Sequence, residues 1–267
     1  MKKIDLIVVK PAHLSSKQKS DYVTLHQEYL FLDKETLLEY LAPRDYVLLF
    51  YDKKTKKLVS TIGVSIIHLK KDVLVYFGNV VVETSYKHSG IISYAMTKHI
   101  LKLFLLYPFK NKYCCGLASS SGTLEYSLKY PPSWPSPKEK TPPNIVQLML
   151  DVLQKLNIDK YRVENGNVIT YNLSEKINST FHRKGHSSTR MDKYFNKINP
   201  HSEHGEQVFF LNPITMKNTV NLAVRGFHNH LIKHPKLYHK IMKCKATKPV
   251  YTIVLLTITM IKLKFIK

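Results

Sequence analysis

The chain has 267 residues, 44% of them apolar, enough for one large core or two small ones. Its formal charge is +22, and residues 136–267 hold 22 basic side chains against 8 acidic ones, with no acidic residue after Glu206. That asymmetry fits an acidic partner (a phosphorylated ligand, an acidic carrier protein, an anionic membrane face or nucleic acid), the alternative being a solvated basic surface. Cys114, Cys115 and Cys244 imply no disulfide framework, and Met1-Lys2-Lys3-Ile4-Asp5 turns polar too soon for a secretory signal, so a cytoplasmic setting is expected.

Residues 3–10 alternate loosely and predict a first strand. Ser15 and Ser16 cap a helix over about residues 17–31, with Tyr22, Leu25, Tyr29 and Leu32 at helical spacing. Asp33 caps a second helix, residues 34–41, which Pro43 closes. Residues 46–51 and 58–69 read as strands of a hairpin with a polar, lysine-rich turn, and residues 73–82 as a strand interrupted by Gly78. A helix follows from Gly90 to about Tyr107, with Ile91, Ala95, Ile100 and Leu103 on its apolar face. Residues 112–119 predict a buried strand and residues 123–130 a short helix.

Prolines then break the pattern, so residues 131–144 are expected to be a linker or insertion. Beyond it lie a helix at 145–156 and a hairpin at 161–171 about Asn165-Gly166, two residues that tolerate positive φ. A polar span at 173–207, a strand at 207–211 and a basic helix at about 218–234 complete the reading. Residues 250–261 are apolar and uncharged. As a helix they would rise about 18 Å against a hydrocarbon core of roughly 30 Å, too short to span it. Their β-branched content suits a buried strand; a shallow tail over residues 248–267, lying at an inner membrane face, is the alternative.

The most informative stretch is Val80-Val81-Val82-Glu83-Thr84-Ser85-Tyr86-Lys87-His88-Ser89-Gly90-Ile91-Ile92, a buried strand, a polar turn and a helix opening at one glycine. Unpaired N–H groups at such a helix start lie at the positive end of its dipole and can cradle phosphate. The order β-α-α-β-β-β-α-β-α over residues 1–130, with this turn after the fourth strand, resembles the GCN5-related N-acyltransferase (GNAT) superfamily. The family's Arg/Gln-x-x-Gly-x-Gly/Ala signature is matched by Lys87-His88-Ser89-Gly90-Ile91-Ile92. Lys87 stands in place of Arg or Gln, and Ile92 in place of a small residue.

The resemblance implies an α/β (α+β) fold: a central mixed, mostly antiparallel twisted sheet flanked by helices, over residues 1–130. Residues 145–267 would form a basic α+β extension. It implies acyl-CoA or acetyl-CoA as cosubstrate. The pyrophosphate would lie against Lys87, His88, Ser89, Gly90, Ile91 and Ile92, and the pantetheine arm along Val80, Val81 and Val82, as an added strand would. It also makes Tyr126, on the helix after the fifth strand, a candidate acid for the departing thiolate, with Ser119 where asparagine is common. A phenol's ordinary pKa, about 10, lies above a thiol's. The strand at 73–82 contains no carboxylate; Glu83, just after it, is the candidate base, with a turn role as the alternative reading. A water relay or a base from the second half is equally open.

The expected function is therefore N-acyl transfer from acyl-CoA or an acyl carrier protein to an amine acceptor. The alternative is an inactive GNAT-like basic module on an anionic membrane or nucleic acid. Nucleic acid is the weaker form, since no aromatic-interleaved basic motif or recognition helix is evident. His182, His186, His201, His204, His228, His230, His234 and His239 lie at loose spacings without a Cys/Asp framework, so no metal site is expected. Cys114 and Cys115 read as core.

Overall fold

The computed structural model describes residues 4–87, 89–128, 132–171 and 188–215. The expected basic helix at 218–234, the apolar segment at 250–261, His88 and the start of the polar span lie outside them. The strands are β1 (Ile4–Val9), β2 (Tyr46–Asp52), β3 (Leu58–His68), β4 (Asp72–Val82), β5 (Asn111–Ala118), β6 (Tyr161–Glu164), β7 (Asn167–Thr170) and β8 (Gln207–Pro213). The helices are α1 (Ser16–Gln27), α2 (Lys34–Leu41), α3 (Ile91–Leu106), α4 (Ser121–Ser127), α5 (Pro143–Lys155) and α6 (Thr189–Ile198). Two compact units result: one, Met1–Ser89 with Tyr107–Pro213, holds the whole sheet and five helices, and α3 belongs to the other.

Local chemistry sets the boundaries. Ser15 Oγ accepts from the Gln18 N–H while Gln18 Oε1 accepts from the Ser15 N–H, a reciprocal capping box. Asp33 accepts from the N–H and the hydroxyl of Thr36. Helix α1 ends at Gln27, short of the expected residue 31. The Tyr29 and Leu30 N–H groups both turn back to the His26 carbonyl, and Tyr29 swings into the core. The Asp52 carboxylate closes the β2–β3 turn by accepting from the Lys54 and Thr55 N–H groups. Asn165 (φ 52°) and Gly166 (φ 81°) make the two-residue turn between β6 and β7, as their sequence predicts.

The sheet order is β1-β2-β3-β4-β5-β8-β7-β6, antiparallel throughout except for β4–β5. This is the mixed, mostly antiparallel sheet expected. The strands beyond the proline-rich stretch belong to the same sheet, because β8 pairs with β5. The expected linker also joins it: Trp134 exchanges backbone hydrogen bonds with Leu211 of β8 at 3.0 and 2.9 Å. Without β8, β5 would be an open edge over a large apolar face.

Register assigns the faces. Val47 lies opposite Gly63 and Gly63 opposite Gly78, while Tyr76 lies opposite Cys115 and Cys115 opposite Leu211, so all share one face. At the β1–β3 end of that face, Tyr22, Leu25, Leu37 and Leu41 of α1 and α2 bury Val47 and Leu49. At the other end, Met149, Val152 and Leu153 of α5 bury Leu74, Cys115 and Phe209. On the opposite face, α4 and α6 cover Ala118, Val208 and Phe210 through Leu124, Phe195 and Ile198.

Candidate functional site

Between the pairs Thr61/Val81 and Gly63/Gly78, one residue of β3, Ile62, spans two of β4, Asn79 and Val80. The extra residue makes a bulge, with Asn79 at φ 50°, a conformation asparagine tolerates better than most side chains. Val80 beside it is 44% exposed. Strands β4 and β5 pair in parallel from Asp72/Asn111 to Phe77/Gly116 and no further, although both run on. Beyond that rung β5 stays with β8 and β4 stays with β3, so the two part. Among the described residues, no strand pairs the β5-facing edge of β4 at Asn79 to Val82. Gly116 permits the last close approach: a Cβ there would lie 2.7 Å from the Phe77 carbonyl oxygen and 2.8 Å from the Phe210 ring. An open strand edge in a cleft can take an extended, amide-bearing ligand as an added strand.

The bulge is held from the α1 side. Thr61 Oγ1 donates to the Asn79 carbonyl at 3.0 Å, and His26 Nε2 lies 2.8 Å from the same Oγ1. Since the threonine proton is used on Asn79, the imidazole must donate from Nε2, which leaves Nδ1 as a bare lone pair. Nδ1 has no partner among the described residues, and burial pulls the His26 pKa down to about 3. Asn79 Oδ1 accepts from Arg44 Nε at 2.9 Å, and that guanidinium lies 4.7 Å from the centre of the Tyr76 ring. Sequence reasoning missed Arg44, His26, Thr61 and Asn79. The available signal was Gly78-Asn79, two strand-breaking residues inside a β-branched run.

The turn after β4 is equally fixed. Glu83 donates its N–H to the Val59 carbonyl, accepts from the Ser85 hydroxyl at 2.8 Å, and lies 3.4 Å from Lys57 Nζ. The Thr84 N–H donates to the Tyr29 hydroxyl at 3.2 Å. Tyr86 donates its hydroxyl to Asp52 at 2.7 Å, and this bond, then the Thr55 N–H, lowers the Asp52 pKa to about 2. The same bond pushes Tyr86 up to about 12. Lys87 follows, half-buried. The Ser89 N–H donates to the Tyr86 carbonyl at 3.1 Å, so it serves the turn and not a ligand.

In the other unit, Gly90 has φ 87°, and a Cβ there would meet nothing within 4 Å. Glycine is required by conformation, not by space. Its carbonyl accepts the first helical bond, from the Tyr94 N–H at 2.9 Å. Ile91, Ala95, His99, Ile100 and Leu103 are buried, and Ile92 is half-buried.

Helix α4 begins directly after β5. Ser120 caps it by accepting from the Thr123 N–H. Its end is tied to the sheet where Asn212 Nδ2 donates to the Ser127 carbonyl at 3.0 Å. Tyr126 stands half-buried on this anchored turn, next to Glu125, whose carboxylate accepts from the Ser188 N–H ahead of α6. Cys114 and Cys115 are core residues: both are buried, which pushes Cys114 up to about 12 and Cys115 upward, far from a reactive thiolate. Among the described residues there is no group of three or more metal-ligating side chains, and no helix is long and apolar enough to cross a membrane.

No known protein-family profile matches the chain, and neither does any curated protein. Solved structures do align with part of it. An acyl-CoA N-acyltransferase from Pseudomonas aeruginosa is 16% identical over 42% of this chain and 79% of its own, with a TM-score of 0.32. An aminoglycoside acetyltransferase from an uncultured soil metagenome, solved with sisomicin, is 15% identical over 48% of this chain and 88% of its own, at 0.35. An acetyltransferase from Clostridium acetobutylicum, described as predicted and solved with acetyl-CoA, is 12% identical over 43% and 81%, at 0.33. The element order from β1 to α4 is the one expected above, and the sheet is mixed and mostly antiparallel with a splayed fourth strand. That order and that sheet are the ones the resemblance to the GCN5-related N-acyltransferases implied for residues 1–130.

Proposed function

We propose that this protein is an N-acyltransferase that takes an acyl group from acyl-CoA and transfers it to an amine. The observation that carries the reading is the parting of β4 and β5 after Phe77/Gly116, which leaves beside a bulge a strand edge that no strand among the described residues pairs. The amides of a pantetheine arm would add to Val80, Val81 and Val82 as a short strand. The pyrophosphate would lie against the turn, with the N–H groups of His88, Gly90, Ile91 and Ile92, the Ser89 side chain and the Lys87 charge as donors. The basic surface suits a polyanionic donor, whether CoA or an acidic carrier protein.

In the reaction the amine lone pair attacks the thioester carbon, the C–N bond forms and the C–S bond breaks. The thiolate takes the Tyr126 hydroxyl proton, and the ammonium proton leaves through water to Glu83, which passes it to solvent. Solvent then restores the proton of Tyr126.

Thermal unfolding with acetyl-CoA and with long-chain acyl-CoA tests this. Ligand at 100 times its Kd stabilises by about 2.7 kcal/mol. Tyr126→Phe should lower kcat by about 10²–10⁴-fold with acyl-CoA still bound, and Gly90→Glu should abolish both. No stabilisation by an acyl-CoA of any chain length would contradict the proposal.

A further inference from the structure

We propose that Arg44 anchors a carboxylate on the acceptor, so that the amine acylated belongs to an amino acid or another small acid. The inference rests on the acyltransferase reading and adds the substrate class to it. Arg44 lies between α2 and β2, on the face that carries α1, α2 and α5. Between the two apolar clusters of that face runs a strip without apolar side chains: Gly63, Gly78 and Ser65. Arg44 occupies this strip. A Cβ on Gly63 would come within 3.1 Å of Arg44 Cγ and 3.0 Å of Asn79 Oδ1, so glycine there leaves room for the arginine stem.

The guanidinium is fixed on one side only. Nε donates to Asn79, and the plane lies over Tyr76. Among the described residues no carboxylate comes within 4.0 Å of it, and its two terminal nitrogens make no hydrogen bond. The neighbouring Asp45 is engaged elsewhere, accepting from the Ile66 N–H at 2.6 Å. A half-buried guanidinium held by Nε, with its terminal N–H groups unused, presents a fork that matches carboxylate geometry. A second observation points the same way. Ser65, opposite Tyr76 in the register, has a buried hydroxyl without a partner among the described residues. Each such polar group would gain a hydrogen bond from a bound acid.

The position suits an acceptor. Asn79 holds Arg44 and is also the bulge residue next to Val80, where the proposed donor slot opens. An acid gripped there would present its amine beside the thioester. One guanidinium balances the single charge of a carboxylate better than the double charge of a phosphate.

The test measures kcat/KM with acetyl-CoA for paired acceptors, free amino acids against their amides, with phosphoethanolamine as a phosphate control. Acids should be preferred, and Arg44→Gln should reduce the acid-to-amide ratio by about 10–100-fold, with Arg44→Lys restoring part of it. CoA titration of Arg44→Gln separates the two readings. If CoA binds but acids and amides react alike, if phosphoethanolamine is preferred, or if Arg44→Gln lowers both members of a pair equally, the Arg44 assignment falls and the acyltransferase reading stands. Loss of CoA affinity in Arg44→Gln alone would put Arg44 in the donor site and overturn the assignment. If wild-type protein binds no acyl-CoA, the acyltransferase reading fails. The assignment is then decided by NMR titration of the wild type with N-acetyl amino acids and their amides: binding of acids over amides upholds it, and no preference overturns it.

Discussion

At the residue scale, polar side chains hold the backbone of β4 in an irregular shape. A bulge left to itself exposes peptide groups that the ladder would have paired; Thr61 satisfies one of them, the Asn79 carbonyl, while His26 holds the Thr61 hydroxyl and Arg44 the Asn79 side chain. His26 performs this only when neutral. Its folded pKa, about 3, lies below the ordinary 6.5, so the unfolded chain binds the proton first as pH falls. Stability conferred by the neutral ring is complete above pH 6.5 and is lost as pH falls toward 3. Urea unfolding should show a loss of about 2 kcal/mol between pH 7 and pH 5, and His26→Gln should remove most of that slope. An unchanged slope in the variant would show that His26 is not the titrating group. Asp52, held by Tyr86, adds a further loss at lower pH, as the carboxylate protonates between about 4 and 2. None of these partnerships was legible in the sequence, because His26, Thr61 and Asn79 meet only across the bulge. Tyr126 was legible as a residue on the helix after β5 through the family resemblance, whereas the Ser120 cap that starts this helix emerged only in the structure.

At the scale of elements, the point where β4 and β5 separate sets the width of the slot. That point is fixed by Gly116, packed between the Phe77 carbonyl and the Phe210 ring. Gly116→Ala should destabilise by about 1–3 kcal/mol, because backbone and an aromatic ring must both shift. Gly122→Ala is the matched control: a Cβ there meets nothing within 4 Å, and the residue lies in α4. Alanine should be neutral or stabilising there by up to about 1 kcal/mol. Equal effects at both sites, read by chemical denaturation, would show that the packing at Gly116 is not tight. The strands themselves were readable from β-branched runs and turn residues, and the β6–β7 hairpin from Asn165-Gly166 alone. The bulge was not, because Gly78 marks an interruption without saying which residue is extra. The end of α1 was missed for a related reason: Tyr29 keeps helical spacing in the sequence while its side chain is recruited to cap the turn at Thr84.

At the scale of the molecule, the sheet extends past the proline-rich stretch, so the strands after it complete the core begun by those before it. The sequence suggests a linker or insertion at residues 131–144 because prolines break regular structure, and Trp134 in that stretch pairs with Leu211 of β8. Strand order is set by long-range pairing, which local pattern does not encode, and only the family-like order of the first nine elements allowed the sheet to be anticipated. The net charge of +22 describes a surface suited to polyanions without locating a site. The proposed location is the edge of β4 that no described strand pairs. The most direct test is a crystal structure of the protein grown with CoA. A pantetheine arm should be hydrogen-bonded along Val80 to Val82, between β4 and β5, with the pyrophosphate at residues 87–92. CoA bound elsewhere, or an empty slot under saturating CoA, would contradict it.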